Sequence, residues 1–157
     1  MVRDPEKTFG NLIDKCSVAQ LCYTDKDGFP VTRAMLKPRE RHGLREFYFT
    51  TNTSSEKVRA LRNDPKAGIY FVDRRFFRGL SLAGTAEILE DPAVKERIWR
   101  DGDELYYPLG VTDPDYCVVR ITVRKIRYYS DFRSTDYVVS AAGISPLCHD
   151  PAPGESR

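Results

Sequence analysis

Histidine is almost missing from this sequence, with only His42 and His149. Neither stands in an HExxH motif, in a Cys/His ligand cluster or in a Ser-His-Asp set, so zinc-type and triad chemistry are set aside. Cysteine is also sparse: Cys16, Cys22, Cys117 and Cys148 form no CxxC pair. In an intracellular chain such thiols stay reduced, and Cys16, Cys22 and Cys117 read as small core or near-core residues. Long apolar runs are missing as well. The longest span a few residues, such as Ile69 to Val72, against the ~20 that a membrane helix needs. The first residues, Met1 to Lys7, are followed by no apolar signal core, so a cytoplasmic protein is expected. Excess charge of one sign is absent too, with a net charge of +2. The basic clusters Lys37 to His42 and Asp73 to Arg78 are broken by acidic residues and turns, and read as solvated loops or an anion-binding rim. No nucleic-acid footprint is expected.

What remains is a chain of 157 residues, 41% of them hydrophobic, enough for one domain with a sizeable core. Asp4-Pro5 supplies an N-cap and first helical residue for a helix carrying Phe9, Leu12 and Ile13. Strand signals then dominate. Ser17 to Thr24 and Pro30 to Leu36 flank a turn at Asp25-Lys26-Asp27-Gly28 and predict a hairpin. Leu44 to Thr51 is a third strand. Thr53-Ser54-Ser55-Glu56 reads as a capping box, with Thr53 as N-cap, opening a helix that buries Val58 and Leu61 and stops at Asn63-Asp64-Pro65. Ala67 to Asp73 predicts a strand buried on both sides. Gly79 to Glu90 alternates cleanly, with Gly84 marking a bend or bulge. Asp91-Pro92 opens a short helix with Val94, Ile98 and Trp99. After a loop from Asp101 to Asp115, a last long strand presents Val119, Ile121 and Val123 on one side, and its alternation slips near Lys125-Ile126. From Ser134 the signal fades. The expected fold is mainly β (α+β): an antiparallel split β-barrel with a few short flanking helices, residues 1–133, followed by a C-terminal tail at 134–157.

One local pattern points to ligand chemistry. A strand ending in Thr50-Thr51 feeds a helix whose first turn carries Ser55 and Lys57. Unpaired N–H groups and the positive end of the helix dipole suit a phosphate there, Lys57 adds a charge, and Arg33 on the preceding strand can reach the same anion. Ordinary helix capping with surface charges is the alternative reading of the same residues.

Several segments together resemble the pyridoxamine 5′-phosphate oxidase-like, FMN-binding split barrels, and within them the bacterial general-stress-protein branch. They are Thr32-Arg33-Ala34-Met35-Leu36-Lys37, Phe47-Tyr48-Phe49-Thr50-Thr51-Asn52, Ser55-Glu56-Lys57 with Leu61, Gly84-Thr85-Ala86-Glu87, and Trp99 through Tyr107-Pro108-Leu109-Gly110 to Asp113-Pro114. The resemblance implies that Arg33 and Lys57 hold the flavin phosphate, with Ser55 at that end. It implies that Arg33, Ala34, Met35 and Leu36 run along the isoalloxazine and that Thr50 and Thr51 contact the flavin. It also implies a homodimer with flavin sites at the interface, where the C-terminal tail could pack. Three positions depart from the family's oxidases. Glu56 stands where they often carry arginine, and Gly79 where they commonly supply a glutamine from the partner subunit. Their C-terminal Arg-x-His substrate motif has no counterpart among residues 131–157. The resemblance therefore implies an FMN-dependent oxidoreductase or redox stress protein, with a small-molecule redox substrate, rather than a true pyridoxamine phosphate oxidase. A flavin carrier or sensor, or a barrel that has exchanged FMN for haem or a deazaflavin, is the alternative.

Overall fold

The computed structural model describes residues 2–147. Helix α1 (Pro5–Lys15) starts as its sequence predicts. The Asp4 carboxylate accepts the Lys7 backbone N–H at 3.0 Å, and Pro5 fills the first turn. Its buried face inserts Phe9 against the rings of Tyr128 and Tyr137, at centroid distances of 4.9 and 5.2 Å. Strands β1 (Val18–Thr24) and β2 (Pro30–Leu36) form the predicted hairpin. Its turn is tied by Asp25, whose Oδ1 accepts the backbone N–H groups of Asp27 and Phe29 at 2.9 and 2.8 Å.

Strands β3 (Glu40–His42) and β4 (Glu46–Asn52) make a second hairpin, and helix α2 (Glu56–Asn63) follows. The chain continues through β5 (Lys66–Asp73), β6 (Arg78–Leu89) and helix α3 (Pro92–Ile98). Two 3-10 turns, Asp103–Leu105 and Gly110–Thr112, lead to β7 (Tyr116–Ser130), β8 (Arg133–Ser140) and β9 (Gly143–Pro146). The sheet is antiparallel throughout, in the order β2-β1-β5-β6-β7-β4-β3, with β8 added to β7 and β9 to β8. Strand β7 is 15 residues long, so its first half pairs with β4 and its second half with β8. That sharing curls the sheet around one apolar interior, built from residues such as Phe47, Phe71, Leu80, Leu82 and Ile121. The architecture is an antiparallel split β-barrel with short flanking helices.

The bend expected at Gly84 is a β-bulge. Ala83 pairs with Lys125 but Gly84 pairs with Val123, so Arg124 is the extra residue and the alternation of β7 slips there. A side chain at Gly84 would start 1.9 Å from the Thr122 carbonyl oxygen. On the outer face of β4 and β7, α3 and the segment that follows it cover a second cluster of Tyr48, Ile98, Tyr107, Tyr116 and Val118, with Trp99 against it. The 101–115 segment is pinned by a buried ion pair. Arg39 meets Asp103 at 2.5 Å, and Asp103 also accepts the Arg100 backbone N–H at 3.0 Å.

Four expectations change. The third predicted strand starts at Glu46 rather than Leu44, and the short β3 before it carries too few residues for a periodic signal. The capping box does not form. Ser55 is the N-cap, its side chain makes no capping bond, and Glu56 is the first helical residue, turned to the hydroxyl of Tyr23. Strand β5 alternates instead of being buried on both sides, with Tyr70 exposed between Ile69 and Phe71. The segment from Ser134, where the sequence signal fades, continues the sheet as β8 and β9. Tyr137 is fully buried, and Val139 and Ile144 pack against the core. Residues 148–157, with Cys148 and His149, lie outside the described residues.

Candidate functional site

The head of α2 is built by three neighbouring strands. Asp115, just before β7, fixes the link from β4: its two carboxylate oxygens accept the Asn52 side-chain amide at 2.8 Å and the Ser54 backbone N–H at 2.7 Å. These bonds, led by the Ser54 N–H, hold the Asp115 carboxyl below the usual carboxylate range. Sequence reading missed Asp115. Its only sequence signal is an Asp directly before a strand, which does not reveal what it holds.

Lys57 extends from the first turn of α2 to donate to Thr51 Oγ1 at 2.9 Å, and Thr51 is buried. Burial pulls the Lys57 ammonium below its ordinary pKa, and the positive charge of Arg33 adds to the effect. Arg33 reaches this corner from β2, where it engages the Tyr23 hydroxyl. Tyr23 in turn donates to Glu56 Oε2, and burial followed by that carboxylate raises its pKa. The Ser55 hydroxyl is buried and has no hydrogen-bond partner among the described residues. Two cations that repel each other, an orphaned hydroxyl and a helix start without a side-chain cap thus converge, with the Glu56 carboxylate held by Tyr23 and the Asp115 carboxylate held by Asn52 and Ser54. This arrangement attracts an anion.

Arg33, Thr51, Ser55 and Lys57 are therefore brought together. The other predicted contacts are distributed by the two-residue period of the strands. Thr50 points to the opposite face of β4 from Thr51, where it meets the Tyr107 hydroxyl. Burial has pushed Tyr107 up to about 12. On β2, Met35 shares the face of Arg33 and packs on the core, while Ala34 and Leu36 belong to the other face. Leu36 lines a groove of about 580 Å³ with Cys16, Arg39, Leu105 and Tyr106. Gly79 has a structural partner: a side chain there would start 2.2 Å from the Tyr70 hydroxyl, so Tyr70 fills the space beside it. His42 is exposed and held between Glu40 and Glu46 at 2.7 and 3.0 Å. Among the described residues no cluster suited to a metal ion occurs, and no helix is long and apolar enough to cross a membrane.

The sequence pattern of pyridoxamine 5′-phosphate oxidase matches residues 6–130. The chain belongs to that family. Within it, the chain is 34% identical to a Clostridium acetobutylicum protein related to general stress protein 26 of Bacillus subtilis. That crystal structure superposes with a TM-score of 0.81 over 88% of this chain and 97% of the other. A pyridoxine/pyridoxamine 5′-phosphate oxidase of Zymomonas mobilis is 29% identical over 99 residues, 58% of this chain and 50% of that enzyme, so the match spans about half its length. More distant structures share the fold alone. An FMN-binding family relative from Nostoc punctiforme has 14% identity and a TM-score of 0.67, over 96% of this chain and 98% of that one. A haem-binding protein from Mycobacterium smegmatis has 21% identity and a TM-score of 0.69, over 88% of this chain and 60% of that one. The barrel thus carries both flavin-binding and haem-binding relatives.

Proposed function

We propose that this chain binds FMN and works in the cytoplasm as a flavin-dependent redox protein of the general-stress type, as a homodimer with its flavin sites at the interface. The observation that carries this reading is the convergence of Arg33 and Lys57 on the head of α2, where Lys57 has no carboxylate in salt-bridge contact among the described residues. The residues fit the phosphate end of FMN. The guanidinium and ammonium supply charge, the orphaned Ser55 hydroxyl a donor, and the first N–H groups of α2 lack a side-chain cap.

Bound flavin would supply the hydride or electron chemistry, and the chain's own residues would bind and orient it. Thr51 keeps the Lys57 ammonium aimed across the helix start, and Asp115 keeps that start in place. Tyr23 holds Glu56 aside through its hydroxyl, which limits repulsion between that carboxylate and the phosphate. The homodimer is supported by apolar surface on the β2 side: Leu36 is 58% exposed and Leu105, in the same groove, 81%. The substrate in this reading is a small redox molecule.

The test is the visible spectrum of the freshly purified protein, with the chromophore identified after denaturation. Flavin peaks near one per chain, lost in Arg33→Ala and Lys57→Ala, are the expected result. A colourless protein that ignores added FMN, a Soret band in place of flavin peaks, or full flavin retention in both variants overturns the reading.

A further inference from the structure

Phe76 and Phe77 belong to the turn between β5 and β6, and Phe132 to the turn between β7 and β8. Their exposures are 56%, 75% and 96%, so the rings project from the fold. The two turns are neighbours at one end of the sheet. Gly79 pairs with Tyr129, and the Phe77 ring meets the Tyr129 ring edge-on at 6.1 Å. Phe77 and Phe132 both have left-handed backbone, with φ of 51° and 60°. Glycine or asparagine serves that conformation at lower cost, so what phenylalanine adds at these positions is its ring.

Cations surround the rings. Arg74 and Arg75 lie in the first turn, and Arg78 and Arg133 directly follow the two turns. Among the described residues none of the four is in salt-bridge contact. The two carboxylates of these turns are engaged locally. Asp73 accepts the backbone N–H groups of Arg75 and Phe76 at 3.0 and 3.4 Å, and Asp131 accepts the Ser130 hydroxyl at 2.7 Å. Arg78, Arg133 and Asp131 also line a pocket of about 590 Å³ under α1, together with Thr8, Ser130 and Thr135.

We propose that this end of the barrel docks on an anionic lipid bilayer. Phe76, Phe77 and Phe132 enter the headgroup layer, and Arg74 and Arg75 meet lipid phosphates around them. The pocket takes one phosphodiester headgroup, with Arg78 and Arg133 supplying charge and the threonine hydroxyls supplying donors. Projecting apolar tips ringed by cations suit a deformable, negatively charged surface. The Arg75 and Arg78 guanidinium groups lie 5.1 and 4.9 Å from the centre of the Phe76 ring. They leave that ring little face for stacking a base, which favours lipid over nucleic acid. This surface is independent of the flavin reading.

The experiment is co-sedimentation of the purified full chain with vesicles of phosphatidylcholine, alone or with about one-third phosphatidylglycerol. Binding to the anionic vesicles is expected to be at least about tenfold tighter, and to weaken in about 0.5 M salt. The double variant Phe77→Ala/Phe132→Ala, and separately Arg74→Gln/Arg75→Gln, should each weaken it about tenfold or more. All four side chains are exposed, so urea midpoints should match the parent. Phe29→Ala, which removes another exposed ring on the β1–β2 turn, should leave binding unchanged. Equal binding to both vesicles, or parent-like binding by either double variant, overturns the proposal. So does a parent dimer that the phenylalanine variant splits into monomers, which assigns the patch to a second copy. Tighter binding to a single-stranded oligonucleotide than to the anionic vesicles also overturns it.

Discussion

Removing Asp103 should loosen the wall that the 101–115 segment builds over the outer aromatic cluster. Its side chain is 4% exposed and that of its partner Arg39 is 14% exposed, so both charges are largely desolvated in the fold. Truncation to alanine deletes the Arg39 contact at 2.5 Å and the acceptor for the Arg100 N–H at 3.0 Å. Deleting one member of a buried pair costs about 3–5 kcal/mol. Arg39 keeps a little access to water, so the lower end, about 3 kcal/mol, is expected for Asp103→Ala. For a domain of this size that lowers Tm by about 6–12 °C. Asp103→Asn retains an acceptor for the Arg100 N–H and should fall near half that loss. Urea unfolding of Asp103→Ala, Arg39→Ala and the double variant measures the coupling, expected at about 1.5 kcal/mol or more. Single losses below about 0.5 kcal/mol, or strict additivity, would refute the account of this pair as the anchor of the segment.

Gly84→Ala should destabilise by about 3 kcal/mol or more, because the new carbon meets the Thr122 carbonyl and the bulge must open; urea midpoints check this. Asp14 is held below its ordinary pKa by the Arg41 guanidinium, which bonds both its oxygens at 3.0 and 2.8 Å. Its contribution is therefore full above the unfolded carboxylate value of ~3.9 and lost as pH falls through the lower folded value. Asp14→Asn should be slightly less stable than the parent at neutral pH and equal to it in strong acid, a small difference because Asp14 is largely exposed. Lys57 has its pKa lowered by burial and by Arg33, so it sheds its proton earlier on the alkaline side than an ordinary lysine. FMN affinity should decline on the alkaline side as Lys57 loses its proton, and Lys57→Arg should flatten that decline in a binding titration, since arginine stays charged.

Much of the fold was legible because local signals agreed with the final pairing. The Asp25 to Gly28 turn set the β1–β2 register, the Asp4-Pro5 and Asp91-Pro92 pairs opened their helices, and Gly84 with the slip in β7 marked the bulge. Arg33 and Lys57 stand out in the sequence as two cations near the start of α2, and the fold sets their charges close enough to repel. The fate of Glu56 was not. The sequence offers it a capping partner at Thr53, but the fold brings Tyr23 of β1 across α2, and the phenol takes the carboxylate. Asp115 escaped notice for the same reason, since its partners Asn52 and Ser54 lie more than sixty residues away in the chain.

The sequence by itself determined a mainly antiparallel barrel, the Asp-capped starts of the first and third helices, and a basic pair before and inside the second helix, because alternation, turn chemistry and capping act over a few neighbouring residues. Only the tertiary structure decided that Thr50 and Thr51 serve opposite faces, that Tyr70 fills the space beside Gly79, and that the weakly patterned segment from Ser134 adds two strands. Those facts depend on which distant segments meet. Burial against a partner strand or helix, unlike local propensity, is fixed only when the whole sheet has closed.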